Sequence, residues 1–238
     1  PGNELQIFIR LFDSEAKIAA QLDHPGIVTV LDYDPYAGEP YIVMSLVEGG
    51  TLRDWFLEHP RMPWPEVADL GVQVADALHY AHMHGVQAHR DIKPANIFCA
   101  AGRYKVGDFG VARRVAVGSG ITRSTFFSAG TPRYMAPEQI LTPRNVDART
   151  DLFSLAAVLY EALTGRSPFR GVTLDFDPEE DPVAAQRIIG AAFAAPTPIR
   201  KLAPDDCDYS TSRRLRLQCA RRERESGQVV VVSLGRPT

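Results

Sequence analysis

The sequence predicts an α+β fold in two unequal lobes, a truncated, strand-bearing small lobe followed by a larger and mainly helical one. Three observations carry that prediction. Strand-length apolar and β-branched runs fall mostly before residue 46, whereas helical periodicity dominates from Thr51 onward. The segment from Asp151 to Thr164 is apolar nearly all round, as a helix buried on most faces must be. A chain of 238 residues with 45% hydrophobic content can also bury a sizeable core. The expected divisions are a partial small lobe over 1–44, a large lobe over 45–206 and a divergent tail over 207–238.

Leu11, Ile18, Ala19 and Leu22 stand at helical spacing, and His24-Pro25-Gly26 stops that helix. Ile27–Leu31 and Tyr41–Leu46 read as a hairpin around Asp34-Pro35-Tyr36-Ala37-Gly38, and Glu48-Gly49-Gly50 as a linker. Leu52–Glu58 is a short helix. Trp64–His84 is a long one, with Val67, Leu70, Val74, Leu78 and Ala81 on one face and Gly85 closing it. Ile97-Phe98 and Tyr104-Lys105-Val106 are strand candidates around the Ala101-Gly102 turn. A stretch rich in Ser, Thr and Gly then runs to Gly130.

Net charge is −3, so no global field draws the molecule to nucleic acid or an anionic membrane. The three cysteines, Cys99, Cys207 and Cys219, have no C-x-x-C spacing, which argues against a disulfide framework and a structural zinc site and fits a reducing, cytoplasmic setting. No apolar run has the length of a membrane span. The chain begins at Pro1, and the expectation is a fragment or processed product whose parent could carry an anchor elsewhere.

The chemistry lies between His89 and Glu138. His89-Arg90-Asp91-Ile92-Lys93-Pro94-Ala95-Asn96 fits the pattern H-R-D-x-K-x-x-N, Asp108-Phe109-Gly110 follows it, and Ala136-Pro137-Glu138 completes the series. Asp91, Asn96 and Asp108 are each common turn residues when taken alone. Together, in this order and spacing, the motifs resemble those of the eukaryotic-like serine/threonine protein kinases of bacteria, over about Phe12 to Pro198.

That resemblance implies a protein-kinase-like fold and transfer of the ATP γ-phosphate to serine or threonine hydroxyls of proteins, with Mg²⁺. Phosphoryl transfer passes through a loose transition state, so the protein must hold the nucleophile in line and neutralise phosphate charge. Asp91 is expected to orient the hydroxyl and accept its proton, Lys93 to supply positive charge to the γ-phosphate, and Asn96 and Asp108 to offer oxygens to Mg²⁺. Met44 resembles a gatekeeper, and Ser45 to Val47 the hinge whose backbone meets adenine. Phe98 is expected under the ring, although ordinary core packing is the alternative for Met44 and Phe98. Asp151 matches the aspartate that braces the catalytic loop. In the loop after Asp108, Thr125 is the first candidate for phosphorylation, with Thr122 and Ser124 behind it and Arg90 as the expected grip on the phosphate.

The chain departs from the family at two places. Glu15 stands where the helix-C glutamate is kept, yet no G-x-G-x-x-G and no strand lysine precedes it, and Lys17 is the only lysine before Lys93. After Pro198 no arginine matches the one that pairs with Glu138. A frame shift or a divergent end is expected there, with Glu138 left without its ion-pair partner. The competing function is therefore a non-catalytic kinase-fold module that binds or scaffolds.

Other signals carry less. His79, His82, His84 and His89 are dense, but no acidic or thiol ligand completes a metal set in the sequence. The acidic run from Asp175 to Asp181 lacks the spacing of a calcium loop. Six arginines fall between Arg213 and Arg224 without aromatic interleaving, so a solvated tail is expected rather than a nucleic-acid surface.

Overall fold

The computed structural model describes residues 2–36, 41–109, 132–141 and 146–169 and the single positions 190 and 197, the side chains of residues 2–8, 11 and 15 excepted. The Ser/Thr-rich loop with Thr122, Ser124 and Thr125, the acidic run and the arginine-rich tail lie outside the described residues.

Helix α1 spans Gly2–Ala20, nine residues longer at its start than the periodicity from Leu11 suggests. No proline or glycine interrupts residues 3–20, so nothing local stops the helix from extending toward the N-terminus. Strands β1 (Val30–Asp34) and β2 (Tyr41–Met44) form an antiparallel pair in which Tyr33 opposes Ile42. Phe12 and Ala16 of α1 pack on Tyr33 and Ile42, a small core of their own. Leu31, Tyr41 and Val43 remain exposed.

The hairpin forms, but its first strand starts three residues later than Ile27. Ile27 and Val28 are instead buried against β5 (Arg103–Val106), where Val28 N–H donates to Val106 O at 2.9 Å and Val106 N–H donates to Gly26 O at 2.8 Å. Residues that read as a strand of the small sheet thus anchor it to the large lobe.

A second sheet, β3-β4-β5, starts with β3 (Gly50–Thr51), which pairs with β4 (Ile97–Ala100). The expected linker is therefore partly a strand. Gly49 makes this possible: its φ is 148°, and a Cβ there would lie 2.0 Å from Cys99 O. Ala101 and Gly102 both have positive φ, 48° and 76°, the geometry of a type I′ hairpin turn.

Helix α2 covers Leu52–Glu58 as expected. Thr51 and Asp54 close a reciprocal capping box at its start, since the Thr51 side chain accepts from Asp54 N–H while the Asp54 carboxylate accepts from Thr51 N–H. Helix α3 covers Trp64–Met83, and its five predicted core positions are all buried. It packs on β5 and on α5 (Ala148–Thr164), with Leu155, Val158 and Leu163 buried in the shared core. Asp147 caps α5, and Gly165 ends it in the left-handed region at φ 66°. The short helix α4 (Pro137–Leu141) lies between these parts in sequence. Among the described residues no helix is long and apolar enough to cross a membrane.

Candidate active site

The loop from Ala88 to Asn96 owes its shape to residues far away in sequence. Ala88 and Ile92 are buried, while Asp91 and Lys93 stay half-buried at the surface of the lobe. Beneath them lies Asp151, 0% exposed, in the first turn of α5. Its Oδ2 accepts from His89 N–H at 2.8 Å and contacts His82 Nε2 at 2.7 Å, and its Oδ1 accepts from Arg90 N–H at 2.9 Å. A buried carboxylate persists only when its lone pairs are so engaged.

His89 is equally constrained. Its Nδ1 accepts from Asp91 N–H at 3.3 Å, which leaves Nε2 as the donor to Gly107 O at 3.0 Å. Burial pushes the ring below its ordinary pKa, so the neutral form with hydrogen on Nε2 is the one that this site holds. Two of the clustered histidines, His82 and His89, thus serve the loop as hydrogen-bonding groups.

Asp91, Lys93 and Asn96 meet at one point. Lys93 Nζ donates to Asp91 Oδ2 at 2.8 Å, and Asn96 Nδ2 donates to the same oxygen at 2.9 Å and to Asp91 O at 2.9 Å. Pro94 opens the tight turn Pro94–Asn96 that brings Asn96 back onto Asp91, its fixed φ suiting the first position of a helical turn. Asn96 is 4% exposed. With its NH₂ group turned to Asp91, its Oδ1 is the remaining acceptor.

Asp108 follows directly on this loop, because Gly107 N–H donates to Asn96 O at 3.0 Å. Phe109 is buried with its ring 4.6 Å from that of His89, whereas Asp108 is exposed, in the left-handed region at φ 56°. Its carboxylate has no hydrogen-bond partner among the described residues. A carboxylate and an amide oxygen are hard-oxygen donors of the type that Mg²⁺ takes, together with phosphate oxygens and water. The residues present fit that ion.

Toward the small lobe, Met44 ends β2 opposite Val30 and is 37% exposed. Ser45 N–H donates to Thr29 O at 2.8 Å, so that group is already engaged, and residues 46 and 47 continue past the β1–β2 ladder. Phe98 is half-buried in β4 between Thr51 and Lys105, with its ring beside Gly107, where an added Cβ would approach it to 2.8 Å. Glu15 falls within α1, but its side chain lies outside the described residues. Lys17 Nζ is bonded to Asp13 at 2.6 Å, one helical turn back.

Glu138 is engaged by α5. It accepts a hydrogen bond from Thr150 Oγ1 at 2.8 Å, because Thr150 is buried in the first turn of α5 facing α4. Two residues near the site were not expected from sequence. Tyr134 donates its hydroxyl to Glu161 of α5, and burial raises its pKa far above the usual phenol value. Gln139 bonds to the carbonyl of Arg90. Tyr134 and Gln139 line a small depression with Arg90, Asp91, Lys93 and Met135. A glutamine at the third position of a helix is a legible capping signal, but a partner 49 residues away is not.

The loop thus gathers a carboxylate, an amide and an ammonium at one point, braced from below by a buried aspartate. The family model for the protein kinase domain matches residues 5–206, and the chain belongs to that family. Among curated relatives, serine/threonine-protein kinase PknB of Mycobacterium leprae is 44% identical over 169 residues, covering 69% of this chain and 27% of that protein. PknB of Mycobacterium tuberculosis is 42% identical over the same length and shares of the two chains. A probable serine/threonine-protein kinase of Streptomyces coelicolor is 44% identical over 167 residues, 67% of this chain and 24% of that protein. The chain thus spans about a quarter of the length of these relatives. The solved structure of Rad53 1–466 in complex with AMP-PNP is similar at a TM-score of 0.61 and 25% identity, over 87% of this chain and 48% of that one.

Proposed function

We propose that this chain carries the catalytic floor of a serine/threonine protein kinase, which transfers the γ-phosphate of ATP to serine or threonine hydroxyls of proteins. The observation that carries the reading is the convergence of Lys93 Nζ and Asn96 Nδ2 on Asp91 Oδ2, at 2.8 and 2.9 Å, on a loop braced by Asp151. Asp91 orients the substrate hydroxyl and accepts its proton as the oxygen attacks phosphorus. Lys93 leaves Asp91 for the γ-phosphate when nucleotide is present. Asn96 Oδ1 and the Asp108 carboxylate would hold Mg²⁺, which would supply positive charge against the phosphates. Met44, residues 45–47 and Phe98 form the adenine side, where Val47 is the better source of a hinge hydrogen bond because Ser45 N–H is engaged. Thr125, with Thr122 and Ser124 as alternates, is the phosphorylation site, and Arg90 is the group that would grip the phosphate. The divisions at residues 44 and 206 belong to the same reading.

The test is Asp91→Asn in a protein with a complete small lobe. Phosphotransfer to a serine substrate is expected to fall by about 10³-fold, within the range of lost general-base catalysis, with Mg-ATP binding retained. Undiminished transfer overturns the role given to Asp91.

One observation favours a second reading, a kinase-fold module that binds without catalysing. Lys17, the only lysine before Lys93, is occupied by Asp13 on its own helix and offers the phosphates nothing. A calorimetric titration of this chain with Mg-ATP separates the two readings. Tight binding counts against the module, and no binding removes catalysis by this chain alone.

A further inference from the structure

Gln139 does two jobs with one amide. It is the third residue of α4, and its backbone N–H donates to Ala136 O at 3.0 Å while its side-chain Oε1 accepts from Ala136 N–H at 3.1 Å. This is half of a reciprocal helix cap, the alanine having no side chain with which to complete it. Glutamate would serve that cap equally well. What glutamate cannot do is the second bond, in which Gln139 Nε2 donates to Arg90 O at 2.7 Å. The two partners also settle the amide's orientation, since the flipped form would face a donor with a donor and a carbonyl with a carbonyl.

The carbonyl so held belongs to a strained residue. Arg90 has φ of 68°, a left-handed conformation that costs a side-chain-bearing residue about 1–2 kcal/mol. Asp151 Oδ1 fixes its N–H at 2.9 Å, and Gln139 fixes its C=O. The peptide plane from Arg90 to Asp91 is therefore gripped at both ends, at its carbonyl by Gln139 and at Asp91 N–H by His89 Nδ1. That plane sets the direction in which the Asp91 side chain leaves the backbone.

We propose that Gln139 is a positioning residue for phosphotransfer, which aims the Asp91 carboxylate by holding the Arg90–Asp91 peptide plane. It thereby ties the catalytic loop to the segment that begins α4. The proposal rests on the role given to Asp91 above.

The experiment compares Gln139→Glu and Gln139→Leu with the unsubstituted chain. Two readouts are used: phosphotransfer from Mg-ATP to dephosphorylated casein, and amide hydrogen exchange resolved at Asp91 and Ala136. Gln139→Glu keeps the acceptor for Ala136 and sets a carboxylate against the Arg90 carbonyl. It is expected to lower kcat about tenfold or more with KM for Mg-ATP within twofold, since small misplacements of a reacting group are costly. Exchange at Asp91 should quicken about tenfold while Ala136 stays protected. Gln139→Leu should quicken both. If Gln139 served the cap alone, Gln139→Glu would match the unsubstituted chain in kcat and in exchange at Asp91, and either result overturns the proposal. A fall in kcat accompanied by an equal rise in KM and a lower urea midpoint overturns it as well, because it marks general loosening. Should the unsubstituted chain transfer no phosphate, the catalytic reading of this chain fails and the exchange arm still decides the positioning role.

Discussion

Replacing Asp151 by asparagine alters the most completely engaged carboxylate of the site while leaving its shape unchanged. The carboxylate takes two backbone N–H groups and His82 Nε2, and it is fully buried. An asparagine can present one oxygen to His89 N–H and His82, but its NH₂ then faces Arg90 N–H, donor against donor. One bond is lost with its donor left buried, at about 1–3 kcal/mol, and the others lose charge assistance. The total is about 3–5 kcal/mol, the scale for removing one partner of a buried charged group. Urea unfolding followed by the fluorescence of Trp55 and Trp64 should show the midpoint falling by about 1–2.5 M, for a slope near 2–3 kcal/mol/M. Asp147→Asn is the control, four residues earlier at the cap of the same helix. Asparagine caps as well as aspartate, and the lost pair with the exposed Arg149 is worth at most about 1 kcal/mol. A midpoint shift for Asp151→Asn no larger than that of Asp147→Asn would refute the claim that Asp151 braces the loop.

Stability should decline on mild acidification through His89. Its folded pKa is depressed by burial, so the unfolded chain takes up a proton that the folded chain refuses; the contribution is whole above about pH 6.5 and is lost as pH falls below it. Unfolding measured at pH 7.5 and 5.5 should show this slope, and His89→Gln should flatten it. Gly49→Ala should cost about 2–3 kcal/mol in urea unfolding, because it combines a forbidden φ with a Cβ 2.0 Å from Cys99 O and must open the β3–β4 pairing. Burial pushes the Cys99 thiol up to about 11, so at pH 8 it holds about a hundredfold less thiolate than an ordinary cysteine. Iodoacetamide labelling read by mass spectrometry of the Cys99 peptide should be slower than for a free thiol by about that factor.

Much of the fold was legible because its signals are local. The apolar face of α3, the helix Leu52–Glu58 and the turn at Ala101-Gly102 rest on residues close in sequence, and these elements fall where the sequence suggests. Ile27 and Val28 were misassigned to the hairpin for the opposite reason. Their partner is Val106, nearly eighty residues on, and a β-branched pair looks the same whether it lies in a small sheet or docks one lobe on the other. The bond from the buried Thr150 hydroxyl to Glu138 was illegible for the same reason, since its partners lie on two different helices.

By itself the sequence determined which chemistry-bearing side chains are present and that Asp91, Lys93 and Asn96 lie within six residues, with Pro94 placed to open a turn between them. Only the tertiary structure decided how that turn is held. Asp151, Gly107 and Gln139 come from three other segments and bond to the loop, while His82 of a fourth holds the Asp151 carboxylate from behind; all of this depends on the packing of α3, α4, α5 and β5 around the loop. The physical reason lies in the loop's own backbone. A left-handed Arg90 is unfavourable on any local account, and it persists because Asp151 and Gln139 grip the peptide groups on both sides of it.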